Sequence, residues 1–161
     1  MCKYQLYRVF YYTADPLKHT TENPLSGDPI DFEKTARPYQ QLIDTVESLP
    51  DFAVRKGTLL QPGWEVGPAA FRGVEKGTKK SVVPKDLRPK ITQKGVDLRI
   101  GLDIASLALK HLVDAVVLVT GDSDMIPAMK LARREGLRVY LDTLNNQGAR
   151  HDLKVHADIV F

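Results

Sequence analysis

The stretch Asp114–Gly136, DAVVLVTGDSDMIPAMKLARREG, decides the fold. Ala115 to Val119 is apolar at every position, which suits a strand covered on both faces in a parallel sheet. Thr120-Gly121 ends the run. Met125, Ile126, Met129 and Ala132 then recur at spacings of three and four, the mark of an amphipathic helix. Pro127 falls in its first turn, where a missing N–H costs little, and Ser123 or Asp124 is positioned to cap it. The turn lies at the carboxyl end of a core strand, where open α/β sheets hold ligands. Asp122 and Asp124 occupy that turn.

Working outward, Lys94-Gly95-Val96-Asp97 opens an earlier helix. Val96, Ile100, Ile104, Leu107 and His111 keep one face of it, widened by Leu98, Leu102 and Leu109. Leu137 to Leu141 reads as another buried strand, 142–148 as a loop, then a short helix, then a strand at Ala157 to Phe161. This alternation predicts a three-layer α/β/α sandwich with a mostly parallel sheet. The first half is less regular. Tyr4 to Thr13 reads as a strand and Ala14 to Pro29 as a loop. Phe32, Ala36, Tyr39, Ile43, Val46 and Leu49 mark a helix ended by Pro50, although Pro38 argues against its first half. Phe52 to Leu60 and Trp64 to Phe71 read as strands or hairpin arms around Gln61-Pro62-Gly63, and residues 73–94 as a mobile basic connector. The 161 residues are expected to form one domain.

Composition narrows the classes. Hydrophobic residues are 43% and charged residues 27%, ordinary for a soluble globular chain. No apolar run approaches the ~20 residues of a membrane span, so no membrane partner is expected. The single cysteine, Cys2, cannot form an internal disulfide, and a cytoplasmic setting fits. The net charge of +3 forces no nucleic-acid partner. Its distribution says more: Arg72, Lys76, Lys79, Lys80, Lys85, Arg88, Lys90 and Lys94 face only Glu75 and Asp86 within one segment. Such a segment holds a polyanion or is a solvated loop, and both readings stay open.

Asp97, Asp122 and Asp124 are the candidate chemical groups. In a parallel unit the helix before a strand starts at the sheet edge where that strand ends, so the three carboxylates can share an edge. Like charges gathered there repel unless a cation intervenes, and an oxygen-seeking ion such as Mg²⁺ or Mn²⁺ is the natural partner. A metal-bound water could then attack a phosphodiester. The bland alternatives remain: Ser123 or Asp124 as an N-cap, and Asp97 as a first-turn carboxylate favoured by the helix dipole. Asp122 is needed by neither strand nor cap. Asp103, Thr120 and Ser123 are read as supporting positions behind the ligands. His19, His111, His151 and His156 have no metal-ligand spacing, and there is no Gly-rich phosphate loop.

KGVDLRIGLD (Lys94 to Asp103), VVLVTGDSDMIPAMKLARREGLRVYL (Val116 to Leu141) and LKVHADIVF (Leu153 to Phe161) together resemble the NYN domain, LabA-like branch, of the PIN-like nuclease superfamily. YRVFYYTADP (Tyr7 to Pro16) is similar to that family's second strand. The paired pattern K-G-V-D then [ST]-G-D-S-D is the specific part. The resemblance implies a PIN-like fold and a metal-dependent endoribonuclease, with Asp97, Asp122 and Asp124 at family acidic positions and Asp103 at a further one. It implies Mg²⁺ or Mn²⁺ as cofactor and single-stranded RNA as partner, contacted by Lys79, Lys80, Lys90 and Lys94. Met125 stands where the family usually has phenylalanine. The family's opening strand, which ends in a metal-binding aspartate, has no counterpart here, and Asp15 lies in the wrong element to replace it. The chain is then a fragment or a mis-started frame, or it has lost the site. An incomplete sheet with an apolar groove is expected, or a partner chain or second copy covering the gap. Two alternatives stand beside the ribonuclease: a catalytically impaired RNA-binding or regulatory module, and, last, a haloacid-dehalogenase-type phosphatase, which lacks its early D-x-D motif.

Overall fold

The structure, a computed structural model, describes residues 5–78, 81–145, 148 and 150–161. By contact, the chain gathers into two compact units, Arg8–Lys94 and one built on Gly95–Phe161.

In the first unit β1 (Val9–Asp15) is followed by β2 (Thr20–Glu22) and β3 (Pro29–Asp31), which form a small antiparallel ribbon. The sequence reading of this segment as plain loop is corrected by local chemistry. Asn23 Oδ1 accepts the Leu25 N–H at 3.0 Å, and Gly27 takes φ 75°, so the polar residues fold the chain back on itself. Asp31 caps α1 (Phe32–Glu47), its side chain accepting the Glu33 N–H at 2.9 Å. Pro38 lies inside this helix, whose apolar stripe buries Phe32, Ala36 and Ile43. Tertiary burial of that stripe outweighs the one hydrogen bond Pro38 cannot make.

β4 (Phe52–Val66) replaces the expected hairpin with one 15-residue strand. Its register against the next strand shifts between Leu60 and Gly63, so Pro62 falls where the ladder is already interrupted. The expected strand at Trp64 to Phe71 holds as far as Val66, the end of β4, and is corrected beyond it: Pro68 at the first helical position begins α2 (Pro68–Glu75). The supposed basic connector is largely ordered, because β5 (Leu87–Lys94) pairs antiparallel with β4, giving the order β1-β4-β5 with β1 and β4 parallel. Lys56 lies 2.7 Å from Glu47 and 3.4 Å from Asp15. Its hydrogen bond to Glu47, helped by Asp15 and opposed by burial, raises its pKa above the ordinary value.

The second unit is a parallel three-stranded sheet with helical crossovers. α3 (Val96–Leu109) leads to β6 (Ala115–Val119), α4 (Ile126–Arg134), β7 (Arg138–Asp142), α5 (His151–Val155) and β8 (Ile159–Val160). The order is β6-β7-β8, with Val116 opposite Val139 and Leu118 opposite Leu141. Those side chains form the core with Ile104, Ala108, Met129, Ala132 and Leu153. The expectation that β6 is covered on both faces is corrected: Val117 is 61% and Val119 59% exposed, because the core helices pack on the Val116–Leu118 face. Among the described residues β1 and β6 each pair with one neighbouring strand.

Asp158 locks this unit through a contact that sequence periodicity does not show. Its Oδ2 accepts the Val139 N–H at 2.7 Å, its own N–H donates to the Val139 carbonyl at 2.7 Å, and Oδ1 lies 3.2 Å from Arg133. Asp158→Ala leaves a strand amide without its acceptor and is expected to cost about 1–3 kcal/mol, read as a lower urea midpoint. Asp158→Asn, which keeps an acceptor oxygen, is expected to lose less.

Candidate active site

Asp97 and the Thr120–Asp124 turn both belong to the Gly95–Phe161 unit. Gly95 precedes α3 at φ 78°, a conformation side-chain-bearing residues rarely adopt, so the glycine of K-G-V-D is needed to turn from β5 into the helix. Asp97 then falls in the first turn of α3. Fourteen residues of helix run ~21 Å at 1.5 Å each, and five of strand ~16 Å. Residues 110–114 join α3 to β6, and the 3-10 turn Ser123–Met125 packs against α3. Asp97 thus lies on the first turn of α3, and Asp122 and Asp124 on the turn that follows β6.

The turn is built by short-range hydrogen bonds. The Asp122 N–H donates to Thr120 Oγ1 at 3.0 Å, and Asp122 Oδ1 accepts the Asp124 N–H at 2.9 Å. Asp122 is therefore the cap of the 3-10 turn, a correction to the expected cap at Ser123 or Asp124. The side chain two residues before an amide reaches it once the backbone is extended at Asp122, φ −89° and ψ 122°. The turn is anchored by Met125, 3% exposed. Asp97, Asp122 and Asp124 are all exposed, and none is ion-paired with a cationic side chain among the described residues. Also among the described residues, no group of three or more His, Cys, Asp or Glu side chains is gathered tightly enough to hold a metal ion. Asp97, Asp122 and Asp124 therefore do not form a closed ligand set.

Of the supporting positions, Asp103 is half-buried further along α3, and it has an interaction partner. Ser123 is half-buried in the turn, and the Thr120 N–H donates to the Asp142 carbonyl at 3.1 Å. Asp142 is the residue that sequence reasoning missed. It ends β7 in register with Val119, so it joins the same sheet end, and its Oδ1 accepts the Leu144 N–H at 2.8 Å. A carboxylate closing the apolar run of β7 was the available signal. Lys90 and Lys94 are exposed on β5, opposite Gly63 and Thr58, in the Arg8–Lys94 unit. Lys79 and Lys80 lie outside the described residues.

The NYN domain family model matches residues 69–161, more than half of the chain. The chain belongs to the NYN domain family. NYN domains have a PIN-like α/β fold, in keeping with the mixed, partly parallel sheets described above. NYN domains are nuclease-like and RNA-related, and nucleases of this kind typically use divalent metals. A 62-residue stretch is 30% identical to an uncharacterized protein of Methanocaldococcus jannaschii, covering 38% of this chain and 26% of that protein. The chain therefore matches about a quarter of that relative's length. No solved structure matches the chain. No helix among the described residues of this NYN protein is long and apolar enough to cross a membrane.

Proposed function

We propose that this NYN domain is a metal-dependent endoribonuclease cutting single-stranded RNA, with Asp97, Asp122 and Asp124 as the metal-binding carboxylates. The reading rests on three exposed carboxylates, without cationic partners among the described residues, carried on the first turn of α3 and on the turn after β6. The donor set fits Mg²⁺ or Mn²⁺, since all its atoms are hard oxygens and Mg²⁺ takes one or two carboxylates while keeping several waters. When bound, such an ion supplies a nucleophilic water at neutral pH and stabilises charge developing on the phosphate. The chain's own residues do the positioning. Thr120 Oγ1 and the Asp124 amide hold the Asp122 backbone and carboxylate in one orientation. Ser123 and Asp103 support the turn and α3. Lys90 and Lys94 attract the RNA backbone, a contact that weakens as salt rises.

The test is cleavage of an unstructured RNA with and without chelator. Activity is expected with Mg²⁺ or Mn²⁺, lost in EDTA and restored by excess metal. RNA binding without turnover under every metal condition would instead assign a binding module.

A further inference from the structure

The Arg8–Lys94 unit contains a groove of about 550 Å³ beside β1 and α1, whereas the carboxylates belong to the Gly95–Phe161 unit. Tyr11, Phe32, Tyr39 and Ile91 form its apolar walls, and Thr13 and Gln93 add polar groups. Ala36 is shared with a smaller cleft of about 170 Å³ lined by Lys18, Glu33, Arg37 and Gln40. Two features define what would fit. The larger groove offers aromatic rings, of which Tyr39 is 59% exposed and open to stacking. The smaller cleft has two cations, Lys18 and Arg37, against one carboxylate, Glu33, and so favours an anion.

We propose that this double groove binds one nucleotide of a single-stranded RNA, its base against Tyr39 and Tyr11 and a phosphate toward Lys18 and Arg37. A flat aromatic ring joined to an anion matches the two compartments in chemistry, ring against rings and anion against cations. A base within a duplex is already stacked, so the groove selects unpaired strands. The inference rests on the RNA-related reading of the chain and adds a docking point in the Arg8–Lys94 unit.

The experiment is fluorescence anisotropy on the full chain in EDTA, with a labelled ten-nucleotide oligo(A) and an abasic ribose-phosphate strand of equal length. The native chain is expected to bind oligo(A) several-fold more tightly than the abasic strand. Tyr39→Ala is expected to weaken oligo(A) binding about 5- to 100-fold with the salt dependence unchanged. Tyr39→Phe is expected to keep most of the affinity, and Arg37→Gln to weaken both strands. Thermal melts check that each variant folds. Equal native affinity for the two strands, or unchanged oligo(A) binding in Tyr39→Ala, overturns the inference. Metal-dependent cleavage is read separately. Unaltered turnover in Asp122→Asn would sink the catalytic assignment and leave the groove, whereas an indifferent Tyr39 would sink the groove alone.

Discussion

An Asp122→Asn variant is expected to cut RNA at least ~100 times more slowly than the native chain, since losing about 3 kcal/mol of metal-dependent transition-state stabilisation corresponds to that factor. The substitution removes one unit of charge and keeps the shape. The amide oxygen can still accept the Asp124 N–H, which Asp122 Oδ1 accepts now at 2.9 Å. Cap and turn therefore survive, and the lost function is the carboxylate's hold on the cation. Initial rates in Mg²⁺, with urea unfolding run beside them, separate the effects. A variant with native stability and native rate would remove Asp122 from the chemistry. The Ser123 and Thr120 hydroxyls make a useful contrast. Thr120→Val deletes the acceptor of the Asp122 N–H, so its rate loss would come through turn geometry.

The largest stability effect is expected at Leu141. This residue is 0% exposed in β7, the middle strand of β6-β7-β8, opposite Leu118 and Val160. Leu141→Ala removes buried methyl groups where strands pair on both sides and the backbone has little freedom to collapse into the void. The expected cost is about 2–5 kcal/mol, measured as a fall in the urea midpoint. Leu98→Ala on α3 is the control, since Leu98 is 68% exposed and its loss is expected to stay within ~0.5 kcal/mol. Similar losses at both positions would mean that the sheet is not the stabilising core of this unit.

Particular residues show what a linear reading can reach. Asp114–Gly136 was legible because its signals are local: an unbroken β-branched run, a glycine break, and apolar spacings of three and four. The β6-turn-α4 order and the first-turn position of Pro127 followed from these alone. The cap is not fixed by sequence, because Asp122, Ser123 and Asp124 all have capping chemistry, and the backbone angles of the folded turn choose among them. Beyond Val66 a helix takes the place of the strand expected at Trp64 to Phe71, because a bulge at Gln61–Pro62 and a helix start at Pro68 use the same turn-forming residues as a hairpin. Asp142 and Asp158 were passed over because their partners, Thr120 and Val139, lie about twenty residues away.

By itself, then, the chain's order of residues determined the α/β alternation and the acidic turn at a strand's end, since both rest on periodicity and backbone chemistry within a few residues. Only the tertiary structure decided that the strands form separate sheets, that Val117 and Val119 stay exposed, and that β1 and α1 enclose an aromatic groove. Those features depend on which strand edges hydrogen-bond and which faces meet across long separations. No local pattern encodes that choice.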